Sequence, residues 1–483
     1  MRNPLPPVPA TLLHIEVTSE LRRGVPTARL VAAPDNDDVE PLEIEGVRIT
    51  GKAGDVQTVP GGGPRWIAGL GGGEPKEYRK TGAALVRVVN AALADDVGHG
   101  GKAFRSVQLA LPEEASGEHV TELALGLLLG GYRFKVTGED PAPSVRSVRL
   151  VAEDPALSSL VARASALAAA TALTRDLANT PSNVKTPAWL ADTAARVAGP
   201  GVEVTVRDEK WLTAEGFGGI LAVGGGSARP PRLIEMAYQP AGATRHLLLV
   251  GKGITFDTGG LSIKPADGMH LMRTDMAGGA AVIAAIRGIA ALGLGVRVTA
   301  LVPCAENHVS GSSYRPGDIV RHYGGKTTEV SNTDAEGRMV LADALVYGIR
   351  RFSPDYVVDA ATLTGAMKVS LGVRTGGLFA SDDALAAAVA AAGARVGEAW
   401  WRMPLVEDYA DNVRGEFGDV RQTPGGPGGI TAALFLREFT SGLPWAHLDI
   451  AGPARSEKNY DEVVPGATGF AARTLVELAA SLA

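Results

Sequence analysis

The chain has 483 residues, of which 45% are hydrophobic and 21% charged, and its formal net charge is −6. This composition is typical of a globular protein and excludes a disordered chain or a coiled coil. The negative balance gives no basic footprint for nucleic acid or for an anionic membrane surface. A chain of this length predicts roughly two or three domains with substantial apolar cores.

The single cysteine and the first residues both bear on the compartment. Cys304 is the only cysteine, so no disulfide can form within the chain, which fits a reducing compartment. The start, MRNPLPPVPATLLHIEV, lacks the cationic segment and long apolar stretch of a secretory signal. No window holds the roughly 18 consecutive apolar residues that a spanning helix needs. The sequence therefore predicts a cytoplasmic protein with no membrane partner.

The first part of the chain alternates strand-like and helix-like segments, which predicts an α/β domain over residues 1–153. Strands are expected at RWIAGLG (65–71), SVQLAL (106–111) and SVRLVAE (147–153), and helices at EYRKTGAALVRVVNAAL (77–93) and HVTELALGLLLGGYRF (119–134). An alanine-rich helix at 154–179 follows, and the proline-containing segment TPSNVKTP (180–187) ends it. Residues 154–186 are therefore predicted to connect two domains.

The second domain is predicted over residues 187–483. Its strands are HLLLVG (246–251), VRVTALVP (296–303), YVVDAA (356–361) and WAHLDIAG (445–452), and its main helices are AGGAAVIAAIRGIAALG (277–293) and MVLADALVYGIRRF (339–352). Apolar strands that alternate with helices indicate a mostly parallel sheet covered on both faces. The predicted fold class is α/β, with two domains joined by a long helix, each a mostly parallel or mixed sheet flanked by helices. The glycine stretches GGGP (61–64) and TPGGPGG (423–429) are expected to be loops.

Four acidic residues lie on connections beside the strands of the second domain, where an α/β sheet presents its ligand site. They are Asp257, Asp275, Asp334 and Glu336. Each acid alone could be a helix cap or a turn former. Four carboxylates that converge in a cleft would repel one another, so the joint arrangement calls for cations. Such ligands suit Mg²⁺, Mn²⁺ or Zn²⁺, and four can bridge two ions ~3.5–4 Å apart.

Two lysines, Lys252 and Lys264, flank Asp257 on the same glycine-rich segment. A buried lysine is costly unless it is paired or neutralised. Two lysines that frame an acid therefore favour a reactive site over a solvated surface.

Three stretches of the second domain carry a family resemblance. GKGITFDTGGLSIKP (251–265), MRTDMAGGAA (272–281) and NTDAEGRMVLADAL (332–345) resemble the hallmark stretches of the leucyl aminopeptidase, or cytosol aminopeptidase, family. Further agreement is found in RDLANTPSN (175–183), VGGGSARPPRLIEMAY (223–238), YRPGD (314–318), ATLTGA (361–366), GGPGGITAALFL (425–436) and HLDIAG (447–452). The resemblance covers nearly the whole second domain, and the first domain matches more loosely through WIAGLG and LLLGGYRF.

The resemblance implies a metal-dependent aminopeptidase that releases N-terminal residues, leucine and other mainly apolar ones, from peptides. The attacking group would be a water or hydroxide that bridges two divalent ions, with Mn²⁺ or Zn²⁺ expected. One ion would be held by Asp257, Asp334 and Glu336, with help from the Asp334 backbone carbonyl. The other would be held by Lys252, Asp257, Asp275 and Glu336. Lys252 would then be a neutral amine, because two adjacent cations depress its pKa.

Two further residues acquire catalytic roles by the same resemblance. Lys264 would stabilise the developing oxyanion as a positioned cation. Arg338 would bind a bicarbonate that shuttles the proton, since a planar guanidinium suits a bidentate oxyanion. The free amine of the substrate would coordinate the second ion, which explains selectivity for peptide N-termini.

The resemblance also implies a substrate side-chain pocket and an assembly. The pocket would be formed by Met272, Thr362, Gly365, Ala451 and Ala454. Some family members carry methionine at the last of these positions, so Ala454 predicts a wider pocket; plain core packing remains the alternative for each. A homohexamer, built as a dimer of trimers, is expected by resemblance, with an assembly or regulatory role for the first domain.

Two other functions are compatible with the residues. The chain could be a non-catalytic or DNA-binding protein that retains the peptidase fold, although its net charge argues against nucleic acid. GLGGGEP (69–75) superficially resembles a nucleotide-binding turn, but it lacks the GxGxxG spacing.

Overall fold

The computed structural model describes residues 5–33, 42–44, 46–60, 64–100, 103–139 and 142–483. Most of the predicted loop GGGP lies outside this part of the chain. The chain divides into two compact units, one comprising Met1–Ala172 and Glu457–Pro465, the other Leu173–Ser456 and Gly466–Ala483. The division falls inside a long helix that begins in the first unit and ends in the second. The predicted α/β class with two domains joined by a long helix is therefore confirmed.

The first unit is built on one sheet and two paired helices. Its strands are β1 (His14–Thr18), β2 (Thr27–Val31), β3 (Leu42–Ile44), β4 (Val47–Ile49), β5 (Val56–Thr58), β6 (Trp66–Gly69), β7 (Ser106–Ala110) and β8 (Ser147–Val151), and its helices are α1 (Pro75–Gly98) and α2 (Gly117–Gly130), with α3 (Leu157–Asn179) crossing into the second unit. Six strands form a sheet in the order β1-β8-β7-β2-β6-β5, parallel except between β5 and β6. β3 and β4 form a separate antiparallel pair.

Helices α1 and α2 pack closely because α2 carries glycine at the contact. A Cβ atom on Gly126 would lie 2.0 Å from the carbonyl oxygen of Arg79, so only glycine permits this approach. α1 begins with Pro75 after a reciprocal capping box between Glu74 and Glu77. These acids occupy the helix start beside GLGGGEP, where a nucleotide would need to place a phosphate. The weak resemblance to a nucleotide-binding turn is not supported by this arrangement.

The short segment Glu457–Pro465 belongs to the first unit although it comes late in the chain. The Arg79 guanidinium lies 2.8 Å from a carboxylate oxygen of Glu122 and 3.1 Å from one of Glu462, and all three side chains are buried. Arg87 also donates to the carbonyl oxygen of Val463 at 3.1 Å. Because a buried charge without its partner is strongly destabilising, these contacts hold the returning segment to the unit.

The second unit contains the larger sheet. Its strands are β9 (Val202–Arg207), β10 (Arg232–Tyr238), β11 (His246–Gly251), β12 (Gly253–Asp257), β13 (Arg297–Asn307), β14 (Ile319–Arg321), β15 (Thr327–Glu329), β16 (Tyr356–Ala361), β17 (Thr375–Ala380), β18 (Ala399–Arg402), β19 (Val420–Arg421), β20 (Trp445–Asp449), β21 (Arg455–Ser456) and β22 (Gly466–Ala467). Its α-helices are α4 (Pro187–Val197), α5 (Glu209–Glu215), α6 (Gly218–Gly224), α7 (Ala277–Ala291), α8 (Glu336–Phe352), α9 (Gly365–Leu371), α10 (Asp383–Arg395), α11 (Gly428–Arg437) and α12 (Ala472–Leu482). Short 3-10 turns occur at Met269–Thr274, Glu407–Tyr409 and Asp411–Val413.

The strand order places the carboxyl ends of several parallel strands together. The order is β18-β17-β20-β16-β11-β13-β10-β9, and β12 pairs in parallel with β13 beside this path. The central strands β20, β16, β11 and β13 are parallel. Strand β11 is buried at every position and β13 at all but its first, as the continuous apolar runs predicted. A smaller sheet of β14, β15 and β19 lies apart from this one.

Two boundaries differ from the predicted ones. β13 continues to Asn307, beyond the predicted end at residue 303, because its partner β12 extends the pairing. α8 begins at Glu336 rather than at residue 339, so the acid and Arg338 lie in its first turn. The apolar periodicity that predicted the helix begins later than the helix itself, because the first turn carries the charged residues Glu336 and Arg338.

Two helical segments in the described chain are long and apolar enough to span a membrane by length and composition, Leu157–Asn179 and Met269–Ala291. In the most apolar window of each, 50% and 83% of the residues respectively are buried inside the protein. Core helices of globular proteins pass the same test, so this is weak evidence for a membrane span. Both segments contain charged residues, so neither has the uninterrupted run of apolar residues that the sequence-based prediction of a spanning helix requires.

His246, at the start of β11, predicts a pH-dependent stability. Burial, aided by the positive charge of Arg297, lowers its pKa from 6.5 to about 4, and its Nε2 atom lies 2.9 Å from the Thr299 hydroxyl. Between these pH values the unfolded chain binds more protons than the folded one, so the free energy of unfolding falls as pH drops from 6.5 to 4. We expect a contribution of up to about 3 kcal/mol. Urea denaturation at pH 7 and 4.5 should show a smaller pH difference in His246→Gln; an unchanged difference would contradict this prediction.

Candidate active site

The predicted metal ligands come from separate connections that meet at the carboxyl edge of the large sheet. Lys252 follows β11 directly, and Asp257 ends β12. Asp275 follows the 3-10 turn that precedes α7, while Asp334 and Glu336 flank the start of α8. Because strands β11, β12 and β13 run parallel, their carboxyl ends bring these segments to the same edge.

Three of the acids form one cluster. Asp257, Asp334 and Glu336 each offer a carboxylate oxygen, and these oxygens lie within 4.8 Å of one another. The Lys264 ammonium is 2.8 Å from Asp257 Oδ2 and also contacts Asp334. The structure thus brings together the three acids that the family resemblance assigns to the first ion.

Lys252 joins this cluster to the fourth acid. Its Nζ atom lies 2.9 Å from Asp275 and 2.8 Å from Glu336 Oε1, and it donates to the carbonyl oxygen of Thr362 at 3.0 Å. The lysine side chain is almost completely buried, as are both acids. Lys252 thus joins Asp275 to Glu336, and Lys264 joins Asp257 to Asp334. The two groups meet where carboxylate oxygens of Asp257, Asp334 and Glu336 lie within 4.8 Å of one another.

Within the cluster, burial and mutual repulsion of the carboxylates outweigh the two neighbouring lysines and raise the pKa of three of the acids. Burial, followed by repulsion from Asp257, raises the pKa of Glu336 to about 8 and that of Asp334 to about 7. Burial likewise raises the pKa of Asp275. Burial alone would lower the pKa of Lys252 and Lys264, but the surrounding carboxylates outweigh it and the net pKa of each is raised.

The donor set fits divalent metal ions. Asp275 Oδ2, Asp334 Oδ1 and Glu336 Oε1 are buried, and each lies against a lysine ammonium. Oxygen ligands of this kind suit hard or borderline cations. A cation here would also relieve the repulsion that raises the carboxylate pKa values.

Sequence reasoning missed two residues that join the loops carrying Asp257 and Asp334. The Asn307 side-chain amide donates to Asp257 Oδ1 at 2.8 Å and to the carbonyl oxygen of Thr333 at 3.0 Å. The Thr333 hydroxyl donates to the carbonyl oxygen of Gly259 at 2.6 Å. Partners of this kind orient metal ligands. Asn307 lies beyond the predicted end of this strand at residue 303, so the sequence offered no direct signal for it.

Asp449, at the end of β20, was also missed. Its carboxylate accepts hydrogen bonds from the backbone N–H groups of Leu363, Thr364 and Ala451 at 3.0–3.2 Å, and from the Thr364 hydroxyl at 2.7 Å. The acid therefore shapes the connection that follows Thr362, whose hydroxyl donates to Asp275 Oδ1 at 2.7 Å.

Lys185 is a fourth missed residue, from the segment that separates α3 from α4. It is completely buried, and its ammonium donates to the carbonyl oxygens of Leu177 and Ala178 at 3.0 and 2.9 Å. A third bond, to the carbonyl oxygen of Arg273, reaches the turn that precedes Asp275. The lysine thus donates hydrogen bonds to carbonyl groups at the end of α3 and links the turn before Asp275 to this helix end.

The residues of the predicted substrate pocket are only partly brought together. Thr362 contacts the charged cluster directly, and Ala451 is linked to its loop through Asp449. Ala454 is buried, Met272 is half-buried, and Gly365 is exposed at the start of α9. Their shared role in a pocket remains a prediction.

Arg338 lies in the first turn of α8 and is 7% exposed. Its Nη1 atom donates to the carbonyl oxygen of Gln422 at 2.6 Å, whereas Nε has no hydrogen-bond partner among the described residues. Burial lowers the pKa of Arg338 to about 10, against the opposing influence of Glu336 and Asp449. The guanidinium is therefore a cation at neutral pH, with donor capacity left for an anion.

Gly337 explains how Lys252 reaches the cluster. A Cβ atom at this position would lie 2.6 Å from Lys252 Cε and 2.9 Å from its Nζ. A larger residue at position 337 would therefore displace the end of the Lys252 side chain from its observed place beside the first turn of α8.

This combination of an α/β sheet and a site of carboxylates, lysines and one arginine is that of a metallohydrolase. Residues 172–476 match the cytosol aminopeptidase family, catalytic domain. A protein of Solibacter usitatus (strain Ellin6076) named "Probable cytosol aminopeptidase" is 45% identical over 83% of this chain and 82% of its own. One of the same name from Streptomyces coelicolor (strain ATCC BAA-471 / A3(2) / M145) is 44% identical over 85% and 83%.

A solved structure titled "Bottromycin maturation enzyme BotP in complex with Mn" is similar throughout. It is 39% identical with a TM-score of 0.83, and the alignment covers 94% of this chain and 99% of that one. The chain belongs to the cytosol aminopeptidase family and is an aminopeptidase, a hydrolase of peptides. The resemblance inferred from the sequence motifs is confirmed.

Gly337→Ala should weaken metal binding. The added methyl group would displace the Lys252 amine from Glu336 and Asp275, and disturbing the orientation of ligands costs about 10–100-fold in metal affinity. Calorimetric titration of the metal-stripped protein with Mn²⁺ measures this effect. Gly311→Ala is the matched control, because a Cβ atom there meets nothing within 4 Å. Equal Mn²⁺ affinity in the two variants would show that metal binding does not depend on glycine at position 337.

Proposed function

We propose that the chain is a dinuclear metal-dependent aminopeptidase that releases leucine and other, mainly apolar, N-terminal residues from peptides. The observation that carries this proposal is the buried cluster in which Lys252 bridges Asp275 and Glu336 beside Asp257 and Asp334. A cluster in which the carboxylates outnumber the ammonium groups is suited to binding divalent metal ions, with Lys252 as a neutral amine ligand and Lys264 kept as a cation.

The ligand sets are those that the family resemblance implies, and these contacts support them. Asp257, Asp334 and Glu336 would hold one ion, and Lys252, Asp257, Asp275 and Glu336 would hold the other. When bound, a pair of divalent ions lowers the pKa of a shared water and polarises the scissile carbonyl. Mn²⁺ is the first ion to test because BotP was solved with Mn, and Zn²⁺ is the second.

The other charged groups would bind the substrate and stabilise the charge that develops during the reaction. The carboxylates provide a negative site for the free amine of a peptide N-terminus, which an acylated terminus cannot use. Lys264 is the one lysine of the cluster that is partly accessible, with 20% of its side chain exposed, so its ammonium can stabilise the oxyanion that develops on the scissile carbonyl.

Arg338 would hold bicarbonate. Its Nη1 atom is fixed by the Gln422 carbonyl, and its buried Nε has no partner among the described residues, which suits a planar anion. The N–H groups at the start of α8 favour negative charge at the same place. A bicarbonate held there would supply a base that accepts and returns the proton.

Substrate choice and assembly are proposed from the family. Met272, Thr362, Gly365, Ala451 and Ala454 would line the side-chain pocket. Ala454 leaves more room than a larger residue would and favours bulky apolar side chains. A homohexamer of two trimers in the cytoplasm is proposed, with the first unit serving assembly or regulation.

Hydrolysis of leucine p-nitroanilide by the purified protein tests the function. We expect no turnover after metal stripping, recovery with Mn²⁺ or Zn²⁺, and no turnover of the N-acetylated substrate. Metal-independent turnover, or equal turnover of the acetylated compound, would contradict the proposal. Folded protein without activity under any metal would favour a non-catalytic protein that retains the fold, and a DNA-binding assay at low salt would then test the other alternative.

Arg338→Ala should lower kcat by about 10²–10⁴-fold, the usual contribution of acid–base catalysis, because the proposed bicarbonate base would no longer be bound. Added bicarbonate should stimulate the wild-type enzyme and fail to stimulate the variant. Arg338→Lys is the matched control, since it keeps the charge but not the planar fork. Full turnover in Arg338→Ala would remove the bicarbonate role.

A further inference from the structure

We propose that Gln422 is a positioning residue that holds Asp334, Glu336 and Arg338 in one geometry. The proposal rests on the proposed function, because it assigns these three residues to metal binding and catalysis. Gln422 is not one of the residues proposed to contact metal or substrate; it acts on the turn that carries the two acids and the arginine.

Gln422 reaches the turn because of a pairing between distant parts of the chain. It directly follows β19, which runs parallel to β15, and its N–H group donates to the carbonyl oxygen of Glu329 at 3.0 Å. β15 is the strand that leads into the turn at 332–338. The glutamine side chain is completely buried between these segments.

The side-chain amide of Gln422 spans the turn. Its Oε1 atom accepts hydrogen bonds from the N–H groups of Ser331 and Asn332 at 3.1 and 3.0 Å. Its Nε2 atom donates to the carbonyl oxygen of Ala335 at 3.2 Å. Ala335 precedes α8 and has no side chain that could cap it. One amide therefore fixes both the entry to the turn and the residue between the two acids.

The backbone of the same residue fixes the arginine. The Gln422 carbonyl oxygen accepts the 2.6 Å hydrogen bond from Arg338 Nη1, which is the bond that orients the guanidinium. Gln422 thus contacts the chain before, between and after the two acids. Asn307 and Thr333 hold the opposite side of the turn, toward Asp257, through hydrogen bonds that do not include Gln422.

Only a neutral side chain with both a donor and an acceptor can make these contacts. Glutamate would keep the acceptor for Ser331 and Asn332, but it would lose the donor to Ala335 and add negative charge beside a crowded carboxylate cluster. Methionine would keep the length and lose both polar functions. The two substitutions therefore separate the role of the donor from that of the whole amide.

The test compares Gln422→Met and Gln422→Glu with the wild type. For both variants we expect Mn²⁺ affinity to fall by about 10–100-fold, as for other residues that orient metal ligands. At saturating Mn²⁺ we expect kcat to fall by at least about 10-fold while KM for leucine p-nitroanilide changes less than about 2-fold. Thr423→Ala is the matched control, because Thr423 meets the same turn only through the Ser331 hydroxyl.

Active-site titration and circular dichroism exclude a simple loss of folded protein. If the loss of kcat equals the loss of folded fraction, or if Gln422→Met matches Thr423→Ala in Mn²⁺ affinity and kcat, the proposal is wrong. If Gln422→Met fails to fold, the isosteric Gln422→Glu decides the outcome by the same criteria. If the wild type binds Mn²⁺ without hydrolysing the substrate, the proposed function fails, and the calorimetric comparison alone decides whether Gln422 positions the acids.

Discussion

The structure of the site depends on the repulsion between four carboxylates that the sheet brings to one edge. Only two ammonium groups oppose them within the cluster, and burial strengthens every interaction among these charges. The surrounding hydrogen bonds are therefore needed to hold the acids in place as well as to orient them. Asn307, Asp449 and Gln422 each join segments that would otherwise move apart. The aminopeptidase chemistry of the family is thus supported by neutral and acidic residues outside the charged cluster.

The charged residues could be predicted from the sequence because each lies in a short, continuous motif beside a strand. Asp257, Lys264, Asp334 and Glu336 are examples, and the structure brings these residues together. The α/β class also followed from sequence, since buried parallel strands read as uninterrupted apolar runs. The hydrophobic periodicity could not assign individual residues to the two metal ions. That assignment depended on the family resemblance.

The supporting residues could not be predicted in the same way. Gln422 acts on the turn at 332–338 because β19 pairs with β15, and no local pattern announces a pairing between strands of two and three residues. Asp449 looks like any acid at the end of a strand until the order of β16 and β20 is known. The start of α8 was placed too late for a related reason: its first turn contains site residues, which interrupt the apolar period.

The returning segment Glu457–Pro465 has a consequence for biosynthesis. Glu462 and Val463 complete the first unit, yet they emerge from the ribosome only after nearly all of the second unit has been made. Until this segment is synthesised, Arg79 lacks its contact with Glu462. The first unit therefore cannot complete its folding as an independent N-terminal domain. Its completion is therefore a late event that requires synthesis of all but the last residues of the second unit.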